Sequence, residues 1–193
     1  MTPARVFDNH RIWQLSDHDF LAAACLIGAA EAAHAPAAVV GIARGGVRLA
    51  EIVAEQLGIP AAVVRARHNT SEEIQQAATG RVLLDDDHNA SVLGTLPAGA
   101  PLLVVDDICG TGATLQAVGE MLTAVMGPAG LRTAVLCRNA GSDHPLDCWG
   151  WDVSDWVHFP WEPEPVPGTG QVLEPLPPLT ALRTLPRPPR SRS

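Results

Sequence analysis

The chain has no lysine and no tyrosine; its 13 basic residues are all arginine, at positions 5, 11, 44, 48, 65, 67, 81, 132, 138, 183, 187, 190 and 192. Schiff-base chemistry and the Walker A phosphate loop both need a lysine amine, so lysine-dependent aldolases, pyridoxal enzymes and ordinary P-loop NTPases are excluded. Cysteine is scarce as well: Cys25, Cys109, Cys137 and Cys148 include no CxxC pair. That pattern argues against structural zinc and a disulfide scaffold, and it fits a reducing, cytoplasmic setting. No apolar run reaches transmembrane length, and the polar start Met1-Thr2-Pro3-Ala4-Arg5 lacks the apolar core of a secretory signal, so no membrane partner is expected. Positive charge is also short. The net charge is −8, with residues 1–162 carrying 9 arginines against 19 acids and residues 163–193 carrying 4 against 2. An acidic body is a poor partner for nucleic acid, whose affinity for proteins comes largely from phosphate neutralisation.

At 193 residues the chain has the length of one domain with a tail. Ser16 is placed to cap a helix running to about His34, with Asp17 and Asp19 at its positive end. An apolar run over 37–42 leads through Ala43-Arg44-Gly45-Gly46 into helical spacing at Val47, Ala50, Val53, Ala54 and Leu57, stopped by Gly58. Residues 59–65 and 102–105 read as further strands, the second uninterrupted in the manner of a parallel strand buried on both faces. A helix over 114–125 and strands over 131–137 and 156–159 follow. Alternation of this kind predicts an α/β fold, an open, mainly parallel twisted sheet flanked by helices. The polar stretch 67–101 reads as a long binding loop, part of it a hairpin, with His68, His88 and Asp85-Asp86-Asp87 as solvated groups. Ten of the 17 prolines fall between Pro160 and Ser193, which predicts a body over 1–162 and an extended or disordered tail over 163–193.

The chemistry concentrates in Leu102-Leu103-Val104-Val105-Asp106-Asp107-Ile108-Cys109-Gly110-Thr111-Gly112-Ala113-Thr114. A buried strand delivers two carboxylates to its C-terminal edge, and a small-residue turn then opens a helix, the place where open α/β sheets bind ligands. Gly110 and Gly112 let the backbone approach an anion, Thr111 and Thr114 add hydroxyls, and the helix from Ala113 presents its positive end. Two acids beside a phosphate cradle are suited to sugar hydroxyls or to a divalent cation such as Mg²⁺.

Asp106 to Thr114 resembles the 5-phosphoribosyl-1-pyrophosphate signature of the type I phosphoribosyltransferase family, and Ala43-Arg44-Gly45-Gly46 resembles its pyrophosphate loop. Trp156-Val157-His158-Phe159-Pro160-Trp161-Glu162 is similar to the segment that closes the base pocket in bacterial xanthine-guanine and archaeal purine members. The resemblance implies a small hood over the sheet, and a non-proline cis peptide that would here join Arg44 to Gly45. It also implies transfer of phosphoribosyl from phosphoribosyl pyrophosphate to a nitrogenous base, with Mg²⁺ as cofactor, in nucleotide salvage and in a homodimer. Under it Ala43, Arg44 and Gly45 take pyrophosphate, and Gly110, Thr111, Gly112, Ala113 and Thr114 take the 5-phosphate. Asp106 and Asp107, with Arg44, carry the chemistry; Asp106, Asp107 and Glu162 face the metal; Arg138, Trp156 and Val157 face the base. A loop over 68–80 would close over the site.

Two positions depart from the purine members. Gly110 stands where an Asp would exchange a proton with the purine imidazole, and Arg138 where a lysine would hold the 6-oxo group. Both fall on the base half of the site. Three readings therefore stay open: a purine acceptor, a non-purine acceptor, and a non-catalytic sensor of phosphoribosyl pyrophosphate. The tail motif Pro186-Arg187-Pro188-Pro189-Arg190 could also dock in an aromatic groove.

Overall fold

A computed structural model describes residues 5–67, 82–127, 130–168 and 170–184. Among them the element order is β1 (Arg11–Gln14), α1 (Asp17–Ala32), β2 (Ala38–Ala43), α2 (Val47–Leu57), β3 (Ala61–Arg67), β4 (Leu83–Leu84) and α3 (Asp86–Leu93). It continues with β5 (Leu102–Cys109), α4 (Ala113–Met126), β6 (Leu131–Asn139), β7 (Cys148–Val153), β8 (Trp156–His158) and β9 (Val172–Pro175). The main sheet has the strand order β4-β3-β2-β5-β6-β7, parallel throughout except for β4 against β3. Chain direction across the sheet reverses between β2 and β5: β2 proceeds through α2 to β3 on one side, β5 through α4 to β6 on the other. Such a switch point leaves a crevice at the C-terminal ends of the two strands.

The apolar run on β5 serves two cores at once. Leu103 and Val105 join the layer beneath α1 and α2, whereas Leu102 and Val104 join the layer beneath α4, as the two-residue period of a strand requires. Helix α1 is capped as its sequence predicts, the Ser16 hydroxyl accepting the Asp19 N–H at 3.1 Å. It also carries Glu31 into the core, 1% exposed, where Arg132 of β6 grips it with two hydrogen bonds of 2.5 and 2.9 Å and reaches Asp147 at 2.9 Å.

A second, three-stranded sheet of order β8-β1-β9 forms the hood, all parallel. Its strands come from both ends of the chain. Where it is described, the proline-rich segment is packed against the body. β9 lies along β1, Leu176 is buried, Trp151 Nε1 donates to the Pro177 carbonyl at 2.8 Å, and Trp149 and Arg183 exchange backbone bonds of 2.9 and 2.7 Å. An edge strand tolerates proline because its outer N–H groups need no partner, so packing continues past residue 162. The docking motif at 186–190 and the closing loop at 68–80, His68 included, lie outside the described residues. Asp85, Asp86 and Asp87 are exposed, and Asp85 caps α3 by accepting the His88 N–H at 3.2 Å, while the His88 ring, half-buried, reaches the Val63 carbonyl at 3.1 Å.

Removing Arg132 leaves the Glu31 carboxylate buried without its partner. Arg132→Ala is expected to lower unfolding free energy by about 3–5 kcal/mol, read by urea denaturation at pH 7, while Glu31→Gln with Arg132 intact costs less.

Candidate active site

Two loops meet at the switch point. The first, 43–46, leaves β2 through a cis peptide between Ala43 and Arg44. The cis bond is thus one position earlier than the family resemblance implies, and Gly45 is engaged differently. A Cβ on Gly45 would run into the carboxylate of Asp107, so only glycine lets the loop close on the end of β5. Gly46 packs just as tightly, against the Val105 carbonyl, and begins α2.

Asp106 and Asp107, neighbours on β5, line different hollows although their carboxyls stay close enough to interact. Asp106, 9% exposed, lines the small cradle formed by Ile108 to Leu115 and accepts the Asp107 N–H at 3.0 Å through its own carboxylate. Asp107 lines a separate cavity of about 820 Å³ together with Arg44, Gly45, Trp156 and Glu162. Burial, and after it the charge of Asp107, holds the Asp106 carboxyl well above the ordinary carboxylate range. Burial raises Asp107 to about 6; the Ile108 N–H opposes that rise and the charge of Glu162 adds to it. The sequence presents the acids as one pair, but the fold assigns them to two compartments.

The cradle itself is built from the turn into α4. Gly112 has φ +86 and caps the helix, and a side chain there would also strike the His144 ring. Thr111 accepts the Ala113 N–H at 3.4 Å, and Gly110, Thr111, Gly112, Ala113 and Thr114 all line the hollow. Two residues here were not legible in the sequence. Burial shifts the His144 ring, seated against Gly112, below its usual pKa. Arg5, from the N-terminal segment, lines the cradle and lies where a Gly110 side chain would be.

On the hood side Trp156, His158, Trp161 and Glu162 face the large cavity. Phe7 stacks on Trp156 with ring centroids 6.1 Å apart. Glu162 Oε2 accepts the Phe159 N–H at 2.9 Å, which fixes the turn and aims the carboxylate. The Val157 side chain is buried in the core and its backbone pairs with Trp13 of β1, so Val157 does not join its neighbours Trp156 and His158 in lining the cavity. Arg138 is not brought to this cavity. Its guanidinium lies 4.0 Å above the Trp149 ring and pairs at 2.7 Å with Asp152, its cross-strand neighbour on β7. A planar guanidinium gains both contacts at the sheet edge, which takes it away from the base position expected from sequence.

Among the described residues no group of three or more His, Cys, Asp or Glu side chains is close enough to hold a metal alone. Asp107 and Glu162 nevertheless bring oxygen ligands to one cavity. That set fits a hard cation such as Mg²⁺, which usually takes one or two carboxylates and completes its shell with water and substrate phosphates.

The match to known proteins follows this geometry. The model of the phosphoribosyl transferase domain matches residues 21–167. The chain belongs to the phosphoribosyltransferase family of enzymes. It is 31% identical over 130 residues to a xanthine-guanine phosphoribosyltransferase of Ruegeria sp. (strain TM1040), a match covering 65% of this chain and 68% of that one. It is 27% identical over 115 residues to HGPRTase-like protein 1 of Natrialba magadii, covering 58% of each. The fold matches a purine phosphoribosyltransferase from Pyrococcus horikoshii Ot3 with a TM-score of 0.64 at 23% identity, over 79% of this chain and 95% of that one. It matches a Helicobacter pylori xanthine-guanine-hypoxanthine phosphoribosyltransferase with a TM-score of 0.63 at 22% identity, over 79% and 94%. The mainly parallel sheet flanked by helices is therefore the fold of these structures.

The acid pair burdens the metal-free fold. Because Asp107 is raised from 3.8 to about 6, its stabilising contribution is full below about pH 4 and is lost as pH rises through 6. Asp107→Asn is expected to make the metal-free protein more stable at pH 7.5, by about 3 kcal/mol at most. The gain should shrink at pH 5.5, and paired denaturant titrations at the two pH values measure it.

Proposed function

We propose that the protein transfers the 5-phosphoribosyl group of phosphoribosyl pyrophosphate to a ring nitrogen of a purine or purine-like base and releases pyrophosphate, in nucleotide salvage. The observation that carries this reading is the meeting of the two loops, 43–46 and 110–114, on either side of Asp106 and Asp107, with Trp156 facing Asp107 across the same cavity.

The chain's own groups divide the work. The cradle from Gly110 to Thr114 anchors the 5-phosphate with backbone N–H groups, hydroxyls and the positive end of α4. Asp106, on the cradle side, and Asp107, on the cavity side, straddle the place of the ribose and accept from its hydroxyls. Arg44 and the Gly45 backbone receive the pyrophosphate, and the fixed guanidinium opposes the negative charge that develops as the bond to C1 breaks. Anchoring both phosphates orients C1 toward the base, so remote binding energy lowers the barrier. The Trp156 face positions the base; a stacking surface tolerates several bases. A magnesium ion held by Asp107 and Glu162, with Asp106 beside them, would neutralise charge on the departing pyrophosphate.

The test is pyrophosphate release on mixing the protein with phosphoribosyl pyrophosphate, Mg²⁺ and each of a panel of purines and pyrimidines. Release is expected with at least one purine. Trp156→Ala should raise KM for that base about tenfold or more while KM for the donor stays within about twofold, and Arg44→Ala should show the reverse pattern. Donor binding without release for any base would replace the transferase with a donor sensor, the reading that Gly110 favours.

A further inference from the structure

The N-terminal segment is tied across the mouth of the phosphate cradle. Val6 donates its N–H to Asn139 Oδ1 and accepts from Asn139 Nδ2, both at 2.9 Å, and Asn139 is itself 1% exposed. Two residues on, the Asp8 N–H donates to the Ser154 carbonyl at 2.8 Å, and between them Phe7 stacks on Trp156. This anchoring holds Arg5 over Gly110 with its Nε buried and without a hydrogen-bond partner among the described residues. Burial lowers the guanidinium pKa, opposed by the neighbouring Cys109 and Asp107. A guanidinium has five N–H donors and no acceptor. A buried Nε–H left unpaired is unfavourable until an anion supplies the acceptor.

We propose that Arg5 is the clamp on the 5-phosphate of the donor and of the nucleotide product, and that Gly110 is glycine to give Arg5 room. The assignment rests on the phosphoribosyl reading of the cradle and adds to it a residue from outside the signature. The collision predicted for any Cβ on Gly110 falls on Arg5 Nε, so the two positions form one unit. With Arg5 in place the hollow retains about 20 Å³, room for a water or two. The phosphate therefore displaces that water and sits at the mouth of the hollow, where the guanidinium, still seated against Gly110, pairs with the oxygens that the cradle leaves uncovered. Planar, two-pronged recognition of a phosphate is what guanidinium offers over ammonium. It also accounts for the departure at Gly110: an acidic side chain there would both displace Arg5 and repel the anion.

Calorimetry with ribose 5-phosphate on the full chain tests this without any base or turnover. Arg5→Ala is expected to weaken ribose 5-phosphate binding by about 10- to 100-fold, with Arg5→Lys intermediate and pyrophosphate binding in Mg²⁺ within about twofold of wild type. Gly110→Ala should produce a similar loss by evicting Arg5, and the Arg5→Ala, Gly110→Ala double variant should be no worse than the weaker single variant. Circular dichroism and melting temperature verify that each variant is folded. Unchanged binding in Arg5→Ala, or additive losses in the double variant, would overturn the clamp while leaving the phosphoribosyl reading intact. Tighter binding in Arg5→Ala would also overturn it and make Arg5 a plug. Failure of the wild-type chain to bind ribose 5-phosphate would overturn the cradle assignment and the clamp together.

Discussion

Two carboxylates at the end of a strand buried on both faces are costly to place, and the site is organised around that cost. Strand β5 can carry Asp106 and Asp107 to the switch point because its first four residues are wholly apolar and pack into both cores. That packing fixes the strand, and a fixed strand fixes the acids. Gly45 can then close on Asp107 with no side chain between them, and the turn at Gly112 starts α4 where its positive end faces Asp106. Desolvation raises both carboxyls, and cations or sugar hydroxyls arriving with a substrate would relieve that penalty. The unliganded site is destabilised where the ligand is most needed, a common condition of functional sites.

What the sequence made legible follows the range of the interactions involved. β2, β5, their glycine turns and the helices behind them are specified by local pattern, and the ligand crevice follows from the order in which they occur. The acidic pair, the glycine turn after it and the Arg44 loop are therefore legible as local pattern in the sequence. The hood was partly visible, through its aromatic segment. Pairing of β1 with β8 and β9 joins residues 11–14 to 156–158 and 172–175, a contact of such sequence separation that no local pattern encodes it. Proline content past residue 162 argues against helix, yet it is silent on whether an extended segment lies free or forms a sheet edge. Arg5 and Phe7 carried no signal, because their partners, Gly110 and Trp156, are more than a hundred positions away.

An all-arginine cation set gives the fold a particular character. Arg138 over Trp149, Arg48 over Phe20 and Arg11 over Trp13 lie 4.0, 5.0 and 4.9 Å from their ring centroids. Each uses a planar face that lysine lacks. Arg138 shows how this alters a site. A lysine on β6 could extend into the cavity as a point charge, whereas arginine finds an aromatic face and the Asp152 carboxylate next to it, and Arg183 reaches that same Asp152 at 3.0 Å.

The two departures from the purine pattern therefore differ in kind. Arg138 has been drawn into the sheet edge, where it joins β7 and the C-terminal segment to β6. Gly110 has been vacated, and the space belongs to a residue from the other end of the chain. Under the proposed function, discrimination among acceptors would then rest on the hood side of the cavity: the Trp156 face, Phe7 stacked on it, and the carboxylate of Glu162. The acid pair and the two loops are built on strands whose register is set by two cores. The hood draws residues 11–14, 156–158 and 172–175 into a three-stranded sheet with fewer buried side chains to hold it. Under the proposed function, a site divided in this way would keep its phosphoribosyl chemistry fixed while changes in the hood altered the base it accepts.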